Sequence, residues 1–360
     1  MKFHVDQDIR RAETLPASFY QDPSLFEALR ERVFLQTWQW IGDQSMFNGQ
    51  VDLYPFFFID HYMPEPLVLS KNAHHQIKCL SNVCTHRANI MIHHPTKSNK
   101  IICNYHGRRF DKNGRFEWMP EFKEAADFPR ACDHLKEFSF LDWHGQYFVG
   151  LEPTFDLKGV LNKMEERIGF LPLEQFKRHQ KHTKDYLVNT HWALYCDNYL
   201  EGFHIPFVHP GLNDALDYGS YETEVHDHMV LQIGYAADDK ECFDLPKDHP
   251  DHGKHVAAFY YWIFPNFIFN FYPWGMSVNV VRPISMNRTR ISFISFVYDE
   301  SLIEIGAGAQ MDKTEREDEF VVENVHLGLK SRYYQTGRFS PKREKGVHYF
   351  HQLLAKYVSE

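Results

Sequence analysis

Cysteine, excess basic charge and long apolar runs are all scarce in this chain of 360 residues. Six cysteines make a disulfide framework improbable in a cytosolic chain of this length. Lys and Arg total 39 against 48 acidic residues, which gives a net charge of −9, and no Lys/Arg cluster stands out. We therefore expect neither a nucleic-acid partner nor an anionic-membrane partner.

The hydrophobic runs are short and interrupted. The most apolar one, FYYWIFPNFIFNFYPW at 259–274, contains Pro265, Asn266 and Asn270 and is too short and too polar to span a bilayer. The first residues, MKFHVDQDIRR, are charged and contain no apolar stretch of the kind found in secretory signals. We therefore expect a cytoplasmic protein with no membrane segment.

Aromatic residues, by contrast, are abundant at 16% of the chain, which is typical of a globular protein, and the length suggests two domains. Short apolar segments separated by Gly, Pro and Asn predict a small β domain, and later alternating segments followed by helical patterns predict an antiparallel sheet with C-terminal helices. The predicted fold class is α+β. Its parts are an N-terminal helical segment at 1–39 that packs on the C-terminal domain, a β-rich domain at 40–155, and the C-terminal domain at 156–360.

Metal-ligand residues are concentrated in CTHRANIMIHHPTKSNKIICNYHG, residues 84–107. Each half of this stretch offers one Cys and one His, whereas zinc fingers usually place two cysteines in one knuckle and two histidines in another. A cluster with two chemically different irons suits the mixture, with Cys84 and Cys103 on one iron and His86 and His106 on the other. Such a centre transfers one electron at a time at a moderate potential. A structural zinc site is the alternative.

A second group of ligand residues lies in CDNYLEGFHIPFVHP, which contains Glu201-x-x-His204-x₄-His209. Two histidines five apart do not share one regular helix face. Pro206 is expected to break the helix after His204, so that His209 folds back towards it. Two imidazoles joined by one carboxylate are the ligand set of non-heme Fe(II), which leaves positions open for O₂ and substrate.

Asp318 is the predicted carboxylate ligand. Val321, Val322, Val325 and Leu329 follow it at the spacing of one apolar helix face, so Asp318 is expected to point towards the core. An inward carboxylate is costly unless it is paired or binds a metal. The other acids of this helix are expected to be mostly solvated: Glu315, Glu317, Glu319 and Glu323.

SNVCTHRA and CNYHG resemble the Rieske [2Fe–2S] signature of the large subunits of Rieske non-heme iron oxygenases. The stretch around His204 and His209, and EDEFVVENVHLGLKSRYYQTGRFSP with Asp318, resemble the iron-binding regions of the same family. The resemblance implies a Rieske domain followed by a helix-grip catalytic domain, and a trimer in which the cluster of one subunit faces the iron of its neighbour. It also implies that Glu201 bridges His106 and His204 for electron transfer.

Two positions depart from the usual family pattern. Glu201 replaces the Asp of most ring-hydroxylating members, and Glu is commoner in members that act on quaternary ammonium compounds. Arg108 and Arg109 follow the HG pair, where an aromatic residue is usual just after the Gly. WIFPN…YPW…VRPI is in addition similar to the choline monooxygenase branch.

We therefore expect an oxygenase that uses O₂ to hydroxylate or oxidatively demethylate a small substrate, with a quaternary ammonium compound as the first hypothesis. Hydroxylation of an aromatic ring is the direct rival. No dinucleotide-binding or plant-type ferredoxin motif is found, so a separate NAD(P)H-dependent reductase or ferredoxin must supply the electrons. Outside the enzyme class, the alternatives are a Rieske electron carrier or redox sensor and a zinc-stabilised binding protein.

Overall fold

The computed structural model describes residues 3–237, 242–303, 305–309 and 311–359. The chain divides into two compact units, one formed by residues 35–154 and the other by the segments on either side of them. Helices and antiparallel sheets occur together, and the α+β fold class is confirmed. In the described part of the chain, no helix is long and apolar enough to cross a membrane.

The unit of residues 35–154 is built from two antiparallel sheets. The larger has the strand order β1-β9-β8-β4-β3-β2, and the smaller has the order β5-β6-β7. The strands are β1 Trp38–Asp43, β2 Leu53–Ile59, β3 Met63–Lys71, β4 Ile77–Ser81, β5 Ile101–Ile102, β6 Arg109–Phe110, β7 Phe116–Trp118, β8 Glu137–Trp143 and β9 Gln146–Gly150.

One hydrophobic cluster links the two sheets of this unit and encloses the predicted cluster cysteines. Cys84 and Cys103 are both only 2% exposed. The apolar side chains packed with them come from both sheets and the loops between them, and include Leu53, Val68, Leu80, Ile101 and Phe110. The core of the unit therefore holds the ends of both ligand loops.

The second unit begins with short helices, α1 Ala17–Gln21 and α2 Pro23–Leu29. Asp22 caps α2 by accepting the N–H groups of Ser24 and Leu25. A five-residue π-helical stretch, Arg30–Phe34, continues α2. After the β-rich unit the chain resumes with α3 Leu157–Ile168.

An eight-stranded antiparallel sheet forms the centre of the second unit. Its order is β10-β17-β16-β15-β14-β13-β12, and β11 also pairs with β17. The strands are β10 Lys177–Arg178, β11 Lys184–Val188, β12 Glu222–His226, β13 Met229–Tyr235, β14 Val256–Ile263, β15 Phe267–Tyr272, β16 Gly275–Ser285 and β17 Arg288–Val297. The aromatic run at 259–274 is therefore a hairpin of β14 and β15 within a buried sheet.

Five further helices complete this unit in the described residues: α4 Trp192–Tyr199, α5 Ile205–Val208, α6 Pro210–Ala215, α7 Met311–Gly328 and α8 Lys345–Ser359. The expected role of Pro206 is wrong. Helix α4 already ends at Tyr199, and Pro206 lies in the first turn of α5, where its missing N–H costs nothing. His204 and His209 therefore flank one short helix, and each is held at an end of it.

Candidate metal centres and substrate cavity

The two predicted cluster loops have the same backbone turn. In each loop the N–H four residues after the cysteine donates to the cysteine carbonyl, Ala88 to Cys84 at 3.0 Å and Gly107 to Cys103 at 2.9 Å. Ala88 and Gly107 both have a positive φ, of 52° and 73°. This shared geometry turns one Cys and one His of each loop back towards the other loop.

The predicted ligand atoms are brought together and suit a cluster. The His86 and His106 ring centroids lie 4.8 Å apart, and Nδ1 of His106 is buried without a hydrogen-bond partner in the described residues. Burial and the neighbouring His106 lower the pKa of His86, which favours the neutral imidazole that binds metal. A Rieske cluster would bind this unpartnered nitrogen and the two buried cysteine sulfurs.

Backbone donors favour a thiolate at Cys103. Burial alone disfavours the charged sulfur, but N–H groups of Tyr105 and His106 and the Cys84 thiol donate to it and lower its pKa. Nδ2 of Asn89 lies 3.6 Å from the same sulfur. The second loop is therefore prepared to hold an anionic sulfur ligand.

A buried cation, Arg108, follows the second loop. Its side chain is 1% exposed and donates to Oδ1 of Asp133 at 2.8 Å. The main-chain carbonyl of Asp133 accepts from Oγ1 of Thr85, which lies in the first loop, at 3.0 Å. The guanidinium lies 4.9–5.6 Å from the centroids of three rings, Phe110, Phe116 and Phe128. The departure from the family pattern at 108 is thus a buried ion pair that links both loops.

The second predicted site comes together in the other unit. The ligand atoms of His204, His209 and Asp318 all lie within 4.8 Å of one another. Oδ1 of Asp318 is 3.6 Å from Nε2 of His204 and 3.0 Å from Nε2 of His209. The three side chains thus form a compact 2-His-1-carboxylate group.

Each histidine is held through its other ring nitrogen. Nδ1 of His204 lies 2.7 Å from Oε1 of Glu201, and Nδ1 of His209 lies 2.8 Å from Oε2 of Glu317. A carboxylate accepts from Nδ1–H, so Nε2 keeps its lone pair for a metal. Burial opposes protonation of His209, yet hydrogen bonds with Asp318 and Glu317 raise its pKa, so a metal at Nε2 would replace a proton that the two carboxylates otherwise favour. The donor set therefore fits a mononuclear iron.

Sequence reasoning missed the supporting role of Glu317 and left open whether Asn198 affects the iron site. Glu317 was expected to be solvated because its helix face continues to Asn324, but it accepts from His209. Asn198 donates from Nδ2 to Oδ1 of Asp318 at 2.7 Å and so orients that carboxylate. A metal-binding histidine usually donates its other ring N–H to an acceptor, and this rule could have led to Glu317.

The inward face of α7 also differs from the expectation. Val322 and Leu329 are buried as predicted, but Val325 is 44% exposed. The buried face instead includes Glu315, at 1% exposure, and His326 at 4%. The prediction that Glu315 is solvated is wrong, because this helix turns a polar stripe towards the cavity.

A cavity of about 110 Å³ adjoins the three ligand residues. Five tyrosine rings line it, together with three neutral amides from the central sheet. The rings are Tyr195, Tyr199, Tyr221, Tyr260 and Tyr272, and the amides are Gln232, Asn270 and Asn279. In the aromatic run, Tyr260, Asn270 and Tyr272 line this cavity, while other rings such as Trp262 are buried away from it.

Comparisons with known proteins identify the family of the chain. The model of the ring hydroxylating alpha subunit (catalytic domain) matches residues 173–360, more than half of the chain. The chain belongs to this family. The model of the Rieske [2Fe-2S] domain matches residues 38–129 of the same oxygenase subunit. The family's cofactors are thus a Rieske cluster and a mononuclear non-heme iron, and both predicted cofactors are confirmed.

The oxygenase subunit is similar to named monooxygenases over most of its length. It is 27% identical to a choline monooxygenase, chloroplastic, of Arabidopsis thaliana, over 96% of this chain and 83% of that protein. It is 26% identical to the carnitine monooxygenase oxygenase subunit of Escherichia coli K12, over 98% of this chain and 95% of that protein. The predicted enzyme class, a Rieske oxygenase, is confirmed, and the electron-carrier and zinc-protein alternatives fall away.

Two solved structures share the fold. CntA, a quaternary ammonium Rieske monooxygenase in complex with L-carnitine, aligns with a TM-score of 0.74 at 22% identity, over 97% of each chain. Naphthalene 1,2-dioxygenase from Rhodococcus sp. aligns with a TM-score of 0.70 at 14% identity, over 96% of this chain and 94% of that one. At these identities the likeness shows the fold and not the substrate.

Proposed function

We propose that this oxygenase subunit hydroxylates or oxidatively demethylates a small quaternary ammonium compound. The observation that carries the proposal is the cavity beside His204, His209 and Asp318, whose wall combines tyrosine rings with acidic side chains. Aromatic faces stabilise a quaternary ammonium by roughly 0.5–2 kcal/mol each. The named choline and carnitine monooxygenases among the relatives are consistent with this substrate class.

The proposed ligand assignment follows from the geometry of the two sites. Cys84, His86, Cys103 and His106 hold the [2Fe–2S] cluster, and His204, His209 and Asp318 hold the mononuclear iron. Bound there, the two groups supply electron storage and oxygen activation. The domain limits proposed with them are 1–39, 40–155 and 156–360.

The residues around the iron ligands have proposed roles of their own. Glu317 holds the His209 ring, and Asn198 fixes Oδ1 of Asp318. Glu201 holds the proton on Nδ1 of His204 and, in an expected homotrimer, bridges to His106 of a neighbouring subunit for electron transfer. Oε2 of Glu201 also accepts the backbone N–H groups of Phe203 and His204, which fixes the carboxylate in place.

Electron supply is proposed to come from a separate NAD(P)H-dependent reductase or ferredoxin, and the proposed location is the cytoplasm. Oxygenases of this family use O₂, a substrate and electron-transfer partners. The chloroplastic relatives show that location differs among similar proteins.

Ring hydroxylation of an aromatic compound is the second candidate, favoured by the family name and the naphthalene dioxygenase fold. The test is substrate-dependent consumption of NADH and O₂ by the purified protein with a matched reductase. We expect consumption, with product, when choline or a related methylammonium compound is added. Product from aromatic hydrocarbons alone would contradict the ammonium proposal and leave the oxygenase class intact.

A further inference from the structure

The wall of the substrate cavity contains a buried acid to which neither site assigns a role. Glu315 lies on α7 one turn before Asp318, lines the same cavity and is 1% exposed. Its Oε2 accepts a hydrogen bond from Oη of Tyr195 at 2.5 Å. Its Oε1 is buried and has no partner among the described residues. Leaving a buried acceptor unpaired costs free energy, so a ligand that supplies a positive charge or a donor is favoured there.

The other cavity acids are already engaged. Oε1 of Glu201 accepts from His204, and Asp318 meets both ligand histidines and Asn198. In the described part of the chain, the side chain of Glu315 accepts its hydrogen bond from Tyr195 and from none of these ligand residues. Its free oxygen is therefore available to a molecule bound in the cavity.

A second buried acceptor in the cavity also lacks a partner. Nε2 of Gln232 donates to the main-chain carbonyl of Tyr199 at 2.7 Å, which fixes the orientation of the amide. Oε1 of Gln232 is then an acceptor, and it is buried without a partner in the described chain. Two unpaired acceptors and five tyrosine rings favour a ligand that carries a positive charge and a hydroxyl or N–H donor.

We propose, on the basis of the ammonium function above, that the Glu315 carboxylate is the counter-charge of the substrate's ammonium group and selects substrates of net positive charge. Gln232 accepts from the hydroxyl group of such a substrate. A compound that carries a carboxylate beside its ammonium group places that negative charge in a wall that already contains Glu201, Glu315 and Asp318, and binds less well. The substrate class is therefore a cationic ammonium alcohol rather than a zwitterion.

The charge of Glu315 depends on what the cavity holds. Burial, together with the charges of Asp318 and Glu319, raises the pKa of the Glu315 carboxyl, although the hydrogen bond from Tyr195 and the charge of Arg316 act in the opposite direction. A cation in the cavity favours the ionised carboxyl. Binding of a cation therefore shifts the Glu315 carboxyl towards its ionised form.

The test compares choline with its uncharged isostere, in which a tert-butyl group replaces the trimethylammonium group. Binding of each to the iron-loaded enzyme is measured by calorimetry, alongside kcat and KM for choline. We expect the wild type to bind choline at least about tenfold more tightly than the isostere, and Glu315→Gln to remove most of that difference by raising Kd and KM for choline. The affinity for the isostere should change little, because Gln keeps the size and the acceptor for Tyr195.

Two further variants separate charge from shape. Gln232→Met should weaken the binding of both alcohols by a similar factor, since it removes the acceptor for the shared hydroxyl. Glu323→Gln is the matched control, because this acid of α7 accepts from Asn189 away from the cavity, and it should leave both affinities unchanged.

The possible failures are distinct. If choline is turned over but Glu315→Gln does not alter its preference over the isostere, the role of Glu315 is overturned while the proposed function stands. If the wild type favours a zwitterion such as a betaine over choline, the charge selection is overturned. If no ammonium compound binds and an aromatic compound is oxidised, both the inference and the ammonium function are overturned.

Discussion

At the scale of single residues, the proposed iron ligands His204, His209 and Asp318, here called the three-ligand group, are each held in place by a neighbouring side chain. Glu201 and Glu317 fix one nitrogen of each histidine, and Asn198 fixes the carboxylate between them. Ligands held in this way lose little freedom when iron arrives, so affinity depends on each contact. Asp318 is the one anionic ligand of the group, and its removal should cost most.

Asp318→Ala should therefore lose the mononuclear iron and keep the cluster. We expect the content to fall from three irons per two sulfides to two irons per two sulfides, with the cluster's EPR signal unchanged after reduction. Asp312→Ala is the control, because Asp312 lies on the same helix and pairs with the surface residue Lys184. Retention of the third iron in Asp318→Ala would refute the ligand assignment.

The buried Arg108–Asp133 pair makes a second prediction about single residues. Asp133→Leu leaves the Arg108 guanidinium buried without its partner, which should destabilise the β-rich unit by about 3 kcal/mol. Urea unfolding, followed by loss of the cluster's visible absorbance, measures the change. Glu117→Leu breaks the surface pair with Lys100 and should cost no more than about 1 kcal/mol. Equal losses in the two variants would show that burial of the pair does not matter.

The same ion pair should make the stability of the fold depend on pH in the acid range. Burial disfavours the Asp133 carboxylate, but the N–H of Arg130 and the charge of Arg108 lower its pKa below the ordinary value. Because the pKa of Asp133 is lower in the folded state, its ion pair contributes fully to the stability of the fold above about pH 4. That contribution is lost as the pH falls through the folded-state pKa. The stability of Asp133→Leu should consequently fall less than that of the wild type between about pH 4 and pH 2.

At the scale of helices, one close contact supports the segment that carries Glu201. Gly346 of α8 faces the backbone of α4's end, and a Cβ placed on it would lie 2.4 Å from the carbonyl oxygen of Leu200. Gly346→Ala must push α8 away or shift residue 200, the neighbour of Glu201. We expect a loss of about 1–3 kcal/mol in unfolding free energy and a lower turnover rate.

Gly328→Ala is the matched control at the end of α7. A Cβ there meets no atom within 4 Å, so the change should be neutral or stabilising by up to about 1 kcal/mol. Thermal unfolding of both variants measures the difference. Unchanged stability and turnover in Gly346→Ala would mean that the two helices do not constrain each other.

The parts of the two sites that were predictable from sequence are those encoded by local spacing. Two short motifs contain Cys84, His86, Cys103 and His106, and each motif can be recognised from the spacing of neighbouring residues alone. His204 and His209 were also identified from one stretch, although the local reasoning about Pro206 was wrong because α4 ends earlier than its pattern indicated.

The remaining contacts depend on distant pairing and were not predictable. The buried position of Glu315 follows from its contact with Tyr195, which lies 120 residues away in sequence. Helical periodicity assumed that the inward face of α7 is apolar, and this assumption placed Val325 inside and Glu315 outside. A cavity reverses that rule, since polar groups can face it without entering the core.

At the scale of the whole molecule, the proposed route from cluster to iron passes between subunits and can be tested by mixing defects. A chain with His106→Ala lacks a cluster ligand, and a chain with Asp318→Ala lacks an iron ligand, so each should be inactive alone. If electrons cross between neighbours, co-expressed and doubly tagged hybrids should recover part of the turnover. If they stay within one chain, hybrids will be as inactive as either parent.

The three-ligand group also has a consequence for how the protein is made. His209 and Asp318 are 109 residues apart, and the strands β12 to β17 lie between them in the chain. A ribosome must therefore synthesise the whole central sheet before the carboxylate can reach the histidines, and closing so long a loop is slow. With the proposed ligands, iron uptake is expected to be a late event, and a nascent chain stalled before residue 318 should be unable to hold the metal.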